Sequence, residues 1–180
     1  MKTKPSDVAV EAKRVYIPYI DQKYRQFPPT SYLYKEVDCI SANSASSSDG
    51  SSSKLKVAVI DGDPVDVAID WYEYGTKAKP TGGLGGLFQP NRIPIVNMAN
   101  EKRPGGDWES GLMAPEENLC RRSNLARCLT TPSERSHSHT PNYPIPMTGG
   151  IYSPHVGKTA HGYSESKVLI SCVSRLPVRP

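Results

Sequence analysis

The sequence has no long apolar run, no secretory leader pattern and few hydrophobic residues. A membrane-spanning helix needs about 20 consecutive apolar residues, so we expect no membrane association. The N-terminal residues are polar, and we expect no signal peptide. Hydrophobic residues make up 37% of the 180-residue chain and 17 residues are proline, which predicts a large share of loop.

Metal-binding and redox spacings are also missing from the sequence. The four cysteines form neither a zinc pattern nor a redox pair. His137 and His139 follow Cys128, but the spacing fits no common zinc site and a fourth ligand is not apparent. We therefore predict no metal, and we interpret the cysteines as reduced thiols of an intracellular protein, cytoplasmic or nuclear.

The charge of the chain is only mildly positive, with a net charge of +4 and a pI near 8.8. Such a charge can help to attract a polyanion. Nucleic-acid binding requires basic residues clustered on one face, and the sequence shows no such cluster. We therefore expect no direct nucleic-acid binding.

The most informative stretch is residues 95–125. The short apolar run I-V-N-M-A at residues 95–99 predicts a buried strand, which Asn100 ends. The turn-forming letters R-P-G-G-D follow. Pro115 then opens a predicted helix with Glu116 and Glu117 in its first turn, which are the expected start signals.

This order of strand, glycine loop and helix favours a site for an anion, because loop amides and a helix N-terminus attract negative charge. Glu116 and Glu117 add two adjacent carboxyl groups at that position. Like charges at close range raise one pKa, as a general acid requires. Taken separately, the glycines can be a plain turn and the glutamates a favourable first helical turn.

The same stretch resembles the signature of microbial-type poly(ADP-ribose) glycohydrolases, which have a macrodomain-like fold. Their pattern is a strand ending in N-x-A-N, then P-G-G-G, then six to eight residues and Q-E-E. Here N-M-A-N begins at Asn97, P-G-G-D at Pro104 and P-E-E at Pro115. Asp107 and Pro115 replace the family's glycine and glutamine, and these replacements resemble the fungal branch of the family.

The resemblance covers residues 55–175 and implies an α/β fold, a macrodomain-like mixed sheet with flanking helices. The Y-S-P-x-V run at residues 152–156 also matches the family. The family's later portion, with a second diphosphate-binding loop, is missing, so we expect the fold to be incomplete at the C-terminus. We predict a Tyr/Pro-rich arm with a Ser-rich disordered segment over residues 1–54, and the partial catalytic domain over residues 55–180.

The resemblance implies hydrolysis of the ribose–ribose glycosidic bond of poly(ADP-ribose). Glu117 would protonate the leaving oxygen, and Glu116 would orient the ribose and help to keep Glu117 protonated. No cofactor is implied. The partner would be ADP-ribose or poly(ADP-ribose) on modified proteins.

The implied ligand-binding residues lie mainly in the glycine loop. Asn100 would hold the distal ribose, and the backbone amides of Gly105 and Gly106 would cradle the diphosphate. Asp107 would stand beside that diphosphate, where the family has bare backbone. Asp61, at the end of an earlier predicted strand, would meet the adenine amino group.

Two other interpretations remain open. The chain can be a module that holds ADP-ribose without cutting it, because only the acid pair separates the two functions. It can also be an inactive, truncated member of the family.

Outside the signature, residues 55–60 are a predicted strand. A helix should follow from Pro64 to about Tyr74, with Asp63 as its N-cap. This strand, helix and signature strand together predict a parallel pair with a right-handed crossover. Residues 167–173 predict a later strand.

Three further expectations concern the remaining segments. The signature helix should continue to about Thr130. Residues 15–34, interrupted by proline, predict an extended arm, and residues 1–14 should be frayed. Residues 41–53 are rich in serine and too polar to form a core, so they predict a flexible segment.

Overall fold

A computed structural model describes residues 4–36, 57–77, 92–134, 141–157 and 169–174. The sequence also favours a short strand over residues 37–40 and a flexible connection over the glycine-rich run 81–87. These two segments, the Ser-rich segment 41–53 and the two histidines near Cys128 lie outside the described residues. In the part of the chain that is described, no helix has the length and apolarity to cross a bilayer.

A four-stranded sheet forms the centre of the described structure. Its strands are β1 (Tyr32–Tyr34), β2 (Arg92–Asn97), β3 (Gly150–Gly157) and β4 (Leu169–Ser174), in the spatial order β1-β3-β4-β2. β2 runs parallel to β4, whereas β3 is antiparallel to both β4 and β1. The mixed sheet with its helices confirms the predicted α/β architecture, and β4 confirms the strand predicted over residues 167–173.

Strand β2 ends where the signature loop begins. Its last residue, Asn97, lies opposite Ser174, the last residue of β4, so both parallel strands end at one edge of the sheet. Pro94 lies inside β2. Proline has no backbone N–H to donate to a neighbouring strand, so it is tolerated mainly in strands at the edge of a sheet. β2 accordingly occupies an end of the described sheet, and the loop after Asn97 leaves from that corner.

The helix predicted after Asp63 is confirmed as α3 (Pro64–Lys77). Oδ1 of Asp63 accepts the backbone N–H of Val65 at 2.9 Å and of Asp66 at 3.3 Å, so Asp63 caps the helix as predicted. Arg122, just after the signature helix, forms ion pairs with both Asp63 and Asp66. This guanidinium joins the start of α3 to the signature region.

The strand predicted over residues 55–60 is wrong for the described residues 57–60, which are neither helix nor strand. Val57 is 81% exposed and Val59 is 98% exposed. An apolar run becomes a strand only when a neighbour satisfies its backbone and packs against its side chains. The parallel pair of the structure is β2 with β4, so the predicted strand–helix–strand unit is not formed in these residues.

The N-terminal region is helical, so the extended arm predicted from residue 15 is wrong up to residue 23. α1 (Pro5–Glu11) runs through a π-helical turn (Ala12–Tyr16) into α2 (Ile17–Lys23). Pro18 has no amide hydrogen and its ring crowds the preceding turn, and a widened π turn accommodates such a break. The expected fraying is likewise wrong for residues 5–14.

The signature helix is split in two, contrary to the prediction of one helix to residue 130. α4 (Pro115–Arg121) and α5 (Leu125–Thr130) flank a short break. The hydroxyl of Ser123 donates to a carbonyl of α4 at 2.6 Å and accepts an amide of α5 at 3.1 Å. Asn124 exchanges bonds with the backbone of Gly157, so polar side chains replace the helical ladder here.

The hydrophobic core lies between α5, α4 and β3. Its fully buried side chains include Leu125, Leu129, Ile151, Val156, Cys120 and Cys128. Ala9 and Ala12 from the N-terminal helices belong to the same cluster. Burial of each large apolar side chain contributes about 1.5–3 kcal/mol, so this cluster fixes α4 and its acidic first turn against the sheet.

The close packing of β3 against α2 gives a test of the fold. A Cβ atom added at Gly157 would lie 2.6 Å from Cγ2 of the buried Ile20. We expect Gly157→Ala to destabilise the protein by about 1–3 kcal/mol through overpacking. Gly62→Ala is the matched control, because its nearest atom lies at an ordinary 3.4 Å. Equal unfolding midpoints in urea for both variants would contradict this packing.

Candidate functional site

The candidate site lies where α4 begins, under the loop that follows β2. Glu116 and Glu117 are only 3% and 6% exposed, although they occupy the first turn of the helix. Pro115 is the first residue of α4, as predicted. Burial of two adjacent carboxyl groups costs free energy unless hydrogen-bond donors reach them. The site is therefore described by the groups that donate to each carboxyl group.

Glu116 is held by donors on both carboxyl oxygens. The backbone N–H of Asn100 donates to Oε2 at 2.7 Å, and Nδ2 of Asn97 donates to Oε1 at 3.3 Å. The backbone amide of Gly105 also stabilises the charged form of this carboxyl group. Burial nevertheless raises the pKa of Glu116, and repulsion from Glu117 raises it further, because these effects outweigh the influence of the three groups.

Glu117 is anchored on one side only. Its Oε1 accepts the backbone N–H of Asp107 at 3.2 Å. Within the described residues, no hydrogen bond to Oε2 is found. The guanidinium of Arg121 attracts this carboxylate electrostatically. The pair is therefore asymmetric, with Oε2 of Glu117 as the oxygen best able to meet a ligand.

The predicted glycine turn is present and lies directly on the acid pair. Gly105 and Gly106 have φ angles of 75° and 58°, which side chains rarely adopt. A Cβ atom at Gly106 would overlap Oε1 of Glu117, and one at Gly105 would lie 3.0 Å from Sγ of Cys120. The two glycines let the loop approach the carboxyl groups closely enough to donate to them.

The backbone amides of this turn interact with acceptors of the protein itself. The N–H of Gly106 donates to the carbonyl of Arg103 at 3.1 Å, and that of Gly105 stabilises the charged form of Glu116. The N–H of Asp107 donates to Glu117. The structure thus uses these amides to bind the acids and close the turn, and a ligand role for the two glycines stays a prediction.

Asn100 contributes through its backbone and its side chain separately. Its N–H holds Glu116, as described above. Its Oδ1 accepts the backbone N–H groups of Lys102 at 2.8 Å and Arg103 at 3.0 Å, which makes a tight turn. The side-chain amide remains the group that Asn100 can offer to a ribose, so the predicted contact stays a prediction.

The remaining two predicted ligand residues differ in their placement. Asp107 lies in the site loop, where its carboxylate pairs with the guanidinium of Arg103 at 2.8 Å. Asp61 is exposed and follows residues that form no strand. The strand end that was to position Asp61 is therefore absent, while its contact with adenine stays a prediction.

Arg121 is a site residue to which the sequence pattern assigned no role. Its guanidinium is buried and donates to the carbonyl oxygens of Trp108, at 2.7 Å, and Leu112. It also donates to Oδ1 of Asn118 at 3.1 Å. Burial lowers the pKa of Arg121. The arginine joins both ends of the loop segment 108–112 to α4. Its place in the run C-R-R-S-N-L at residues 120–125, which also resembles the family signature, was the available signal.

The N-terminal helices support the same loop from the opposite side. The ring of Trp108 is buried in one cluster with Ala9 and Ala12. The ammonium group of Lys13 lies 5.6 Å from the centroid of that ring and pairs with Glu109. The site loop is therefore held between α4 and a segment that precedes it by about a hundred residues in the chain.

Asn97 is the second residue whose role the sequence did not reveal. It is 3% exposed and bonds to Glu116 across the start of the loop. Its place as the first asparagine of N-M-A-N was the signal.

In the described ranges, no group of three or more His, Cys, Asp or Glu side chains is placed so that it could hold a metal ion.

Comparison with known proteins gives the family of the chain. The chain matches the family described as "Microbial-type PARG, catalytic domain" over residues 7–158. The chain belongs to this family of poly(ADP-ribose) glycohydrolase catalytic domains. A comparison with curated proteins finds no match.

Two solved structures of poly(ADP-ribose) glycohydrolase from Thermomonospora curvata show the same fold. One, bound to the inhibitor ADP-HPD, has 15% sequence identity and a TM-score of 0.55, and the other has 16% and 0.59. Each comparison covers 94% of this chain. The chain spans 61% and 62% of the length of those two proteins.

The contact between Gly106 and Glu117 can be tested by a double-mutant cycle. Gly106→Ala and Gly111→Ala both force alanine into a left-handed conformation, at about 1–2 kcal/mol each. Only Gly106→Ala also displaces a carboxylate from its amide donor, which adds about 1.5–3 kcal/mol.

We expect this extra cost to vanish in a Glu117→Ala background, because the overlapping oxygen is then absent. Urea unfolding of the parent, the two single variants Gly106→Ala and Glu117→Ala, and the double variant measures this cost, with Gly111→Ala as the control. An identical cost of Gly106→Ala with and without the Glu117 carboxyl group would argue against the contact.

The raised pKa of Glu116 predicts a pH dependence of stability. The folded protein retains this proton to a higher pH than the unfolded chain, whose glutamates titrate near about 4.3. The contribution of Glu116 to the free energy of unfolding is thus fully present below that pH and is lost as the pH rises through the folded-state pKa.

Glu116→Gln removes this titration, so the stability of the parent relative to the variant should decrease as the pH rises. Unfolding in urea at several pH values measures the difference. Glu134→Gln, at an exposed glutamate, is the control and should show no such decrease. A parent that gains stability over Glu116→Gln as the pH rises would be inconsistent with the raised pKa.

Proposed function

We propose that the protein hydrolyses ADP-ribose glycosidic bonds as a poly(ADP-ribose) glycohydrolase, with Glu117 as the general acid. Membership of the family supports the reaction class. The observation that carries the assignment is the asymmetric acid pair, with Glu116 held on both oxygens and Glu117 on one. The substrate is ADP-ribose, single or polymeric, on intracellular proteins.

The asymmetry of the pair separates the two roles. A glycosidic bond breaks readily when its leaving oxygen receives a proton and the anomeric carbon can develop positive charge. Oε2 of Glu117 can turn its proton towards that oxygen, because the amide of Asp107 occupies only Oε1. The resulting carboxylate then stabilises the developing positive charge and takes a proton from the attacking water.

Glu116 serves as the fixed partner in this proposal. Its oxygens are bound to Asn97 and Asn100, so it cannot rotate to deliver a proton. Each oxygen keeps a second lone pair that can accept a ribose hydroxyl. Glu116 therefore positions the sugar.

The proposal predicts a specific effect of Glu117→Gln. Glutamine keeps the side-chain shape and can still accept the amide of Asp107, but it has no proton to donate. We expect the rate of poly(ADP-ribose) hydrolysis to fall by about 10²–10⁴-fold. ADP-ribose affinity, measured by calorimetry, should change little.

The matched control is Glu134→Gln, which changes an exposed glutamate away from the site and should keep the parental rate. Hydrolysis by Glu117→Gln at the parental rate would refute the assignment of the acid. A parental protein that binds ADP-ribose without turnover would instead be a binding module.

A further inference from the structure

We infer that Arg103 is a diphosphate-binding residue of this site and that Asp107 holds its guanidinium in position. The inference rests on the proposed function, because it concerns how the same site takes the charged part of ADP-ribose. Four observations lead to it: the use of the loop amides, the turn at Asn100, the Arg103–Asp107 pair and the place of that pair beside Glu117.

The first observation concerns the donors that are already used. The amides of Gly106 and Asp107 donate to the carbonyl of Arg103 and to Glu117, and that of Gly105 stabilises the charged form of Glu116. A diphosphate at this turn would have to displace these interactions to use the amides. Two of them serve buried carboxyl groups, whose loss of donors is costly. Side-chain cations of the turn are therefore the better partners.

The second observation is that the turn fixes the backbone of the cation. Oδ1 of Asn100 accepts the N–H groups of Lys102 and Arg103, so residues 100–103 form a closed turn rather than a free loop. The carbonyl of Arg103 then accepts the N–H of Gly106. Both peptide groups of Arg103 are engaged, and its side chain begins from a defined position.

The third observation is the ion pair that orients the side chain. Nη2 of Arg103 lies 2.8 Å from Oδ1 of Asp107, and the two side chains are 63% and 44% exposed. An exposed pair contributes little stability. It does restrict the rotamers of Arg103, and a guanidinium has several further N–H donors in a planar fork that suits phosphate oxygens.

The fourth observation is the distance along the ligand. In ADP-ribose the anomeric carbon that Glu117 would serve and the carbon that carries the diphosphate belong to one ribose. The diphosphate must therefore lie one sugar ring from Glu117. The segment 103–107 connects the two positions, because its last residue donates directly to Glu117 and also pairs with the guanidinium of its first residue.

The pair also explains how a carboxylate is tolerated at position 107. A lone aspartate beside a diphosphate would repel it. Arg103 neutralises Asp107 before the ligand arrives, and its remaining donors then contact the phosphate oxygens. Arg103 is thus the ligand-binding member of the pair, and Asp107 is a positioning residue.

Calorimetry with ADP-ribose on the full chain tests the inference. We expect Arg103→Ala to weaken binding by about 10- to 100-fold, as for the loss of a charged hydrogen bond. Arg103→Lys should recover part of the affinity, because it keeps the charge but loses the fork. Arg25→Ala, at an exposed arginine of the turn after α2, is the control and should bind as the parent does.

A second experiment separates ligand contact from mere neutralisation of Asp107. Asp107→Asn removes a negative charge but keeps a side-chain oxygen that can accept a hydrogen bond from the guanidinium of Arg103, so it should bind ADP-ribose at least as tightly as the parent. The double variant Arg103→Ala with Asp107→Asn should remain at least several-fold weaker than Asp107→Asn alone. Equal affinity of those two proteins would show that Arg103 only cancels the aspartate, and would overturn the inference.

The choice of ligand provides a third arm. ADP carries the diphosphate without the terminal ribose, so Arg103→Ala should weaken ADP binding by the same factor. Adenosine has no phosphate, and its affinity should not change. A loss of adenosine binding equal to that of ADP would indicate general damage to the site and would overturn the inference.

The outcomes also distinguish this inference from the proposed function. A parental chain that binds ADP-ribose in an Arg103-dependent manner but never hydrolyses it supports the inference and defeats the proposed reaction. If Arg103→Ala hydrolyses poly(ADP-ribose) as fast as the parent and binds ADP-ribose equally well, the proposed reaction is supported and the inference about Arg103 is defeated. A parental chain that fails to bind ADP-ribose overturns both.

Discussion

The burial of two neighbouring carboxyl groups is the constraint on which the rest of the site depends. Removing Glu116 and Glu117 from water costs free energy that only nearby donors can offset. Most of these donors are backbone amides of the loop after β2. The loop must therefore fold onto the start of α4, because only there can its amides donate to the two buried carboxyl groups.

The loop cannot meet this requirement by itself. Its amides face inward only if the chain passes very close to the carboxyl groups, which the two glycines allow. Arg121 then holds the carbonyl groups on the far side of the turn, and Trp108 anchors the loop in the core. Backbone amides of the loop thus donate to the two glutamates, and the guanidinium of Arg121 donates to carbonyl oxygens of the same loop. Donors and acceptors of the loop backbone both find partners in this way.

The strand–loop–helix order was predictable from sequence because each part has a local signal. An apolar run, a Pro-Gly-Gly turn and a proline followed by acids are short-range patterns, and the structure places β2, the turn and α4 accordingly. Asp63 as a helix cap is of the same kind. These features depend on residues within one or two turns of each other.

The features that could not be predicted depend on distant partners. Residues 57–60 have the composition of a strand, but a strand forms only beside a neighbour, and the partner of β2 is β4. The break after α4 is fixed by Asn124 bonding to Gly157, which is remote in sequence. The π turn before Pro18 contains Ala12, which is buried in the hydrophobic core with residues remote in sequence.

The direction of the loop amides is the most instructive of these differences. A glycine turn before a helix is compatible with amides that face a ligand and with amides that face the protein, because both use positive φ angles. What decides between them is the nearest unsatisfied acceptor, and here that acceptor is a buried glutamate. The pattern of glycines and acids therefore specifies that the loop and the carboxyl groups meet, but it does not specify which groups contact an anion.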